Sequence, residues 1–141
     1  MLRVYIDMVG DLFHVGHINL FKKARNLFPE NPVELVVGVH SDEDVGSYKR
    51  RPVIVQEQRY EMIRSCKYVD EVIEASPLII TEKFLKKYKI NYVVHGDDVS
   101  TEVAKQHKIP LLLEMIKYVP HTPGISTTKI IERIKNNKGI K

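Results

Sequence analysis

Five short runs rich in apolar residues recur along the chain, and none shows a clean alternation of polar and apolar side chains. They are Leu2–Asp7, Val33–Val39, Glu71–Ile73, Tyr92–His95 and Leu111–Tyr118. A strand without that alternation is apolar on both faces, which suits the interior of a parallel sheet covered on each side by helices. The intervening stretches carry helical spacing. Leu20, Ala24, Leu27 and Phe28 recur at i, i+4, i+7 and i+8, with Lys22, Lys23 and Arg25 facing away and Pro29 and Pro32 ending the pattern. A second helix is expected over Val55–Cys66, with Tyr60, Ile63 and Cys66 inward. Another is expected over Thr81–Tyr88, with Phe84, Leu85 and Tyr88 packing. A polar helix follows Ser100, and the last begins after Gly124, with Ser126 as its cap and Ile130, Ile131 and Ile134 buried. Strand alternating with helix five times predicts an α/β fold, a doubly wound parallel five-stranded sheet in a single domain spanning 1–141.

Composition narrows the function classes. Hydrophobic residues make up 43% and charged residues 28% of the 141 positions, an ordinary globular balance. No apolar run approaches the roughly 20 residues that span a bilayer. The opening residues already read as a strand rather than a signal peptide. The single cysteine, Cys66, excludes an intrachain disulfide and fits a reducing compartment, so a cytoplasmic address is expected. The net charge of +4 is spread over the chain. The densest basic stretch, Lys129 to Lys141, contains Glu132 and reads as a solvated helix face with a basic tail. No zinc-finger spacing or RNA-binding aromatic signature accompanies it, so no nucleic-acid partner is expected.

Ligands on doubly wound sheets bind beyond the carboxyl ends of the strands. The loop after the first strand reads Asp7-Met8-Val9-Gly10-Asp11-Leu12-Phe13-His14-Val15-Gly16-His17. Two histidines three residues apart thus open a helix, where unpaired N–H groups and the dipole attract an anion. Imidazoles can donate to phosphate oxygens, and Gly16 removes a side chain that would block close approach. The spacing does not match the usual helical zinc pair. An equally simple reading makes His14 and His17 a structural pair that caps the helix. At the far end of the chain, Gly124-Ile125-Ser126-Thr127-Thr128 concentrates three hydroxyls and free amides at another helix start. This suits a polyphosphate, or an ordinary N-cap.

The segments DLFHVGHINLFKKA, SCKYVDEVI, VVHGDD and GISTTKIIERI together resemble the cytidylyltransferases that activate phosphoethanolamine, phosphocholine and glycerol 3-phosphate. The likeness covers essentially the whole chain in order. It implies a Rossmann-like sheet of nucleotidyltransferase type that transfers CMP from CTP to a small phosphorylated alcohol and releases pyrophosphate. It also implies Mg²⁺ carried mainly by the triphosphate, no dedicated protein metal ligands, and a two-fold homodimer. By position, His14 and His17 would contact the triphosphate and stabilise the transition state, and Lys49 would close over the phosphates of both reactants. Val9, Gly10, Asp11, Gly16, Gly96, Asp97, Asp98, His121, Thr122, Gly124 and Ile125 would line the nucleotide site, with Ser126, Thr127 and Thr128 on the β- and γ-phosphates. Arg59, Tyr68 and Leu78 would join Lys49 around the acceptor. Read alone, Lys49 is a solvated loop charge, Asp97 and Asp98 are turn formers, Tyr68 is a core aromatic and His95 is a hydrogen-bonded structural histidine.

The chain departs from the family pattern in three places. Met8 stands where a glycine is usual and Gly10 where an aromatic is usual, so Gly10 is expected to supply the backbone bend. His121 replaces an arginine, exchanging a permanent charge for a titrating one. Leu78 replaces an aromatic, which removes part of the cage that a quaternary ammonium needs and disfavours phosphocholine. Phosphoethanolamine and glycerol 3-phosphate are the expected acceptors. The same fold using ATP, or a non-catalytic CTP-binding module, are the alternatives.

Overall fold

The computed structural model describes residues 1–140, and Lys141, the end of the basic stretch, lies outside them. In chain order the elements are β1 (Leu2–Met8), α1 (Val15–Asn26), β2 (Val33–Val39), α2 (Asp42–Gly46), α3 (Gln56–Arg64) and β3 (Glu71–Glu74). These are followed by α4 (Glu82–Lys87), β4 (Tyr92–Gly96), α5 (Thr101–Gln106), α6 (Lys108–Leu112), β5 (Ile116–Val119) and α7 (Thr127–Asn136).

The five strands form one sheet in the order β3-β2-β1-β4-β5. Every neighbouring pair is parallel. β1 is central and pairs with β2 from Leu2↔Val33 to Met8↔Val39, and with β4 at Val4↔Tyr92 and Tyr5↔Val93. The winding reverses between β1 and β4, so the loops leaving their carboxyl ends diverge and open a crevice there.

The continuous apolar runs are explained by a core on each face. On one side Val4, Ile6, Leu35, Val37 and Val39 meet Phe21 and Ala24 of α1 and Tyr60 and Ile63 of α3. On the other, Tyr5, Val36 and Val93 meet Ile80, Phe84, Leu85 and Ile90. Neighbouring positions of β1 therefore bury in opposite directions, as a strand period of two requires.

The structure corrects the sequence reading in three places. The run Leu111–Tyr118 is not one strand: Leu111 and Leu112 end the short helix α6, Glu114 turns the chain at φ 56°, and only Ile116–Val119 joins the sheet. Pro110 is tolerated because it sits in the first turn of α6, where an amide would have no intrahelical partner. An apolar run of this length does not distinguish strand from helix. Second, α2 was not foreseen; Ser41 caps it by accepting from the Asp44 amide, and Asp42, Glu43 and Asp44 fill its first turn. Third, Ile130 and Ile131 of α7 are only half-buried and Ile134 is exposed, so the apolar face of this helix is not sealed within the fold.

Candidate active site

A cleft of about 750 Å³ opens at the carboxyl ends of β1 and β4. The β1–α1 loop, the loop after β2, the α2–α3 connection, the end of β4, α5 and the β5–α7 loop all contribute to it. Two helix N-termini face into this space, those of α1 and α7.

At α1, His14 is the N-cap. Its Nδ1 accepts from the Gly16 amide at 3.0 Å, while the His17 Nδ1 accepts from the His14 amide at 3.0 Å. With Nδ1 an acceptor in both rings, the single proton of each neutral imidazole is on Nε2, which is then a donor. The capping reading and the phosphate-donor reading are thus one arrangement: capping fixes the tautomer that donates. The ring centroids lie 3.9 Å apart, and Phe13 stacks on His17 at 5.3 Å. Burial lowers both histidines. His17 falls to about 4, where the His14 ring adds to burial and Asp11 partly opposes it. Both are therefore neutral donors near pH 7.

Gly16 lines the cleft, and a Cβ there would meet the His14 ring at 2.7 Å, so the glycine makes room for its neighbour's imidazole. Gly10 adopts φ 68°, the left-handed bend expected of it, and a Cβ would also strike Ile63.

Asp11 serves the loop. Its carboxylate accepts from the Val53 amide at 2.8 Å, the Ile54 amide at 2.9 Å and Arg50 at 3.3 Å. Burial alone would raise this carboxyl, but the Ile54 and Val53 amides and Arg50 outweigh it and hold it below the usual carboxylate range. Those contacts fasten the segment carrying Lys49 against the histidine loop. Lys49 lines the cleft, and its ammonium is lowered by burial and by Arg50, with Asp11 opposing.

At α7, Ser126 is the N-cap, accepting from the Lys129 amide at 3.1 Å. Thr127 Oγ1 donates to the Asp11 carbonyl at 3.0 Å and so locks α7 to the β1–α1 loop. That hydroxyl proton is engaged within the protein, which leaves Thr127 its backbone amide for a ligand. Gly124 turns the chain at φ 82°, and Gly124, Ile125, Thr122 and Thr128 all line the cleft. Val9, Gly10, Gly96, Asp98 and His121 line it as well, whereas Asp97 stands behind His121. The His121 amide and Nδ1 both meet Asp97 Oδ1, at 3.0 and 2.6 Å. Asp97 thereby holds the imidazole above its ordinary range.

Three expected acceptor residues are not brought to the cleft. Arg59 is buried, and its guanidinium donates to the Ile54 carbonyl at 2.9 Å, to the Val9 carbonyl and to Asp42 at 2.8 Å. Its planar fork is consumed as a clamp between α3, α2 and the β1–α1 loop. Tyr68 precedes β3, at the amino end of the sheet, and packs against the core beside Lys22 and Lys67. Leu78 follows the edge strand β3 and does not contribute to the cleft lining.

The sequence reading missed a buried cluster on the cleft floor. Asp7 accepts from His107 Nε2 at 2.9 Å and faces His40 Nε2 at 3.5 Å. Burial would raise Asp7, but His107 and His40 outweigh it and hold the carboxyl far below its usual range. His95, which bonds the Gly96 carbonyl at 2.7 Å, packs edge-on against His107. Asp7 and His40 each stand at the carboxyl end of a central strand, so position alone marked them. His107 is a hundred residues from Asp7, and only folding unites the two.

Residues 10–133 match the Cytidylyltransferase-like family, and the chain belongs to it. It is 36% identical over 135 residues to the ethanolamine-phosphate cytidylyltransferase of Dictyostelium discoideum, covering 94% of this chain and 36% of that protein. It is 38% identical to the ethanolamine-phosphate cytidylyltransferase of Saccharomyces cerevisiae, covering 98% of this chain and 43% of that one. It is also 39% identical to choline-phosphate cytidylyltransferase 2 of Arabidopsis thaliana, covering 94% and 44%. The chain thus spans 36% to 44% of the length of these relatives. Among solved structures, the lipopolysaccharide core biosynthesis protein of Thermoplasma volcanium superposes with a TM-score of 0.67 at 26% identity, over 86% of this chain and 97% of that one.

Proposed function

We propose that the cleft transfers CMP from CTP to a small phosphomonoester and releases pyrophosphate. The observation that carries this reading is the pair of Nε2–H donors fixed by capping at the start of α1, with the start of α7 bonded to the same loop. A phosphomonoester oxygen attacks the α-phosphorus in line, its bond to phosphorus forms as the bond to the bridging oxygen breaks, and pyrophosphate departs on the far side. The nucleophile is already ionised near neutral pH, so the reaction needs positioning and charge neutralisation more than a strong base. His14 and His17 donate to the triphosphate without needing protonation. Lys49 supplies positive charge, and the free amides of α7 with the Ser126 hydroxyl hold the leaving phosphates.

Mg²⁺ fits this donor set as an ion borne by the triphosphate. The Asp11 carboxylate is engaged by three donors, and the exposed group Asp97, Asp98 and His121 places ligand atoms within 4.8 Å of one another at the rim. A hard cation with few protein ligands matches that sparse supply, with Asp98 the carboxylate of the group that reaches the cleft. The ion would neutralise charge on the departing pyrophosphate. Among the described residues no helix is long and apolar enough to cross a membrane. A two-fold homodimer acting in the cytoplasm completes the proposal.

The test follows pyrophosphate release with Mg²⁺, each of the four nucleoside triphosphates, and phosphoethanolamine, phosphocholine or glycerol 3-phosphate. Turnover with CTP and one acceptor is expected. Turnover with ATP alone would assign a different nucleotide, and CTP binding without turnover would make the chain a regulatory module.

A further inference from the structure

Gly16, Asn19 and Lys23 of α1 are spaced i, i+3 and i+7 and therefore share one face of the helix. That face looks onto the segment between β5 and α7. A Cβ on Gly16 would lie 3.4 Å from the Ile125 side chain. Asn19 Nδ2 donates to Thr122 Oγ1 at 3.2 Å, and Lys23 Nζ donates to the Pro120 carbonyl at 2.6 Å. The helix that presents His14 and His17 at its start thus grips, along its next two turns, the chain leading to the start of α7. Thr122 lines the cleft, whereas Asn19 stands behind it and does not.

The direction of the bond between Asn19 and Thr122 decides what Thr122 offers a ligand. A carboxamide nitrogen only donates, so the Thr122 oxygen accepts, and the hydroxyl proton must point away from α1. Thr127 is the opposite case, because its proton is spent on the Asp11 carbonyl. We propose that Asn19 is a positioning residue for the nucleotide: by donating to Thr122 it commits that hydroxyl as a donor to a triphosphate oxygen of CTP. Lys23, one turn further along α1, fixes the Pro120 carbonyl and with it the backbone that carries Thr122. The same principle governs the histidine pair, where a bond made inside the protein settles which way a proton faces the ligand. This inference rests on the reading of the cleft as a CTP site.

The experiment measures the Kd of CTP with Mg²⁺ by calorimetry, beside a urea melt that reports folding. Asn19→Asp keeps the shape of the side chain but can only accept, so the Thr122 proton turns to the carboxylate and is lost to the ligand. CTP binding should weaken by about 10- to 100-fold, the loss of one hydrogen bond to a charged group. Asn19→Ala leaves the proton free to reach the ligand and should cost much less. Thr122→Val should weaken binding about as much as Asn19→Asp, and Thr122→Ser should restore it. The carboxylate of Asn19→Asp also adds a negative charge, which a double-mutant cycle removes. In a Thr122→Val background the gap between Asn19→Asp and Asn19→Ala should shrink to that charge effect alone. A gap of the same size with and without the hydroxyl overturns the role of Asn19 while leaving the cleft as the CTP site. Equal weakening by Asn19→Asp and Asn19→Ala does the same, as does a Thr122→Val that binds CTP like the wild type. In turnover the changes should fall on the KM for CTP and leave the acceptor KM unmoved; a shift confined to the acceptor overturns the assignment to the nucleotide. A folded wild type that does not bind CTP overturns the reading of the cleft, and this inference with it.

Discussion

His14 holds two positions at once: cap of α1 and donor to the ligand. Replacing it with alanine removes the acceptor for the Gly16 amide and one Nε2–H. The first loss costs about 1 kcal/mol of stability, and the second about 10²–10³ in kcat. Steady-state rates beside a urea melt would separate the two, and near-normal turnover would refute the assignment. His121 gives a prediction about pH. Its imidazole is held above its ordinary value by Asp97, so it is protonated below the raised pKa and loses its proton as pH rises through it. When protonated it balances Asp97; when neutral it leaves a negative charge beside the phosphates. CTP affinity should therefore be highest on the acid side and weaken as pH rises, whereas His121→Arg should flatten that slope. Calorimetric titration of CTP over pH 6 to 9 would check this, and identical slopes in the two proteins would remove His121 from the site.

Among the elements, the histidine loop is held from two directions. Arg59 pulls it toward α2 and α3 through the Val9 carbonyl and Asp42, and Thr127 ties it to α7 through the Asp11 carbonyl. Arg59→Met leaves Asp42 and two carbonyls without their partner. Removing one member of a buried pair costs about 3–5 kcal/mol, so a large drop in the urea midpoint is expected. A variant of unchanged stability that no longer used its acceptor would return Arg59 to the ligand. The arginine was visible in the sequence as a family position, but its direction was not. A guanidinium on a helix can reach a cleft or a neighbouring carbonyl, and the packing of α3 under the loop decides between them.

For the whole molecule, a ligand that bridges the starts of α1 and α7 joins the first and last helices of the fold. CTP with Mg²⁺ at a hundred times its Kd should stabilise the protein by about 2.7 kcal/mol, visible as a rise in Tm. Absence of a shift at saturating CTP would argue that the two helix starts do not act on one ligand. The parallel sheet was readable because strands buried on both faces need continuous apolar runs, and four of the five runs occupy the expected places. The fifth was misplaced because Leu111–Leu113 is equally apolar as helix or strand, and the turn at Glu114 decides which.

The sequence by itself determined the α/β class, the two helix starts and the bend at Gly10, because periodicity, capping chemistry and left-handed backbone are local properties. Tertiary structure alone decided that Arg59 and Tyr68 turn away from the cleft and that Asp7, His40 and His107 converge on its floor. Burial, charge pairing and tautomer depend on which distant segments the sheet brings together, and the spacing of residues along a chain does not encode that.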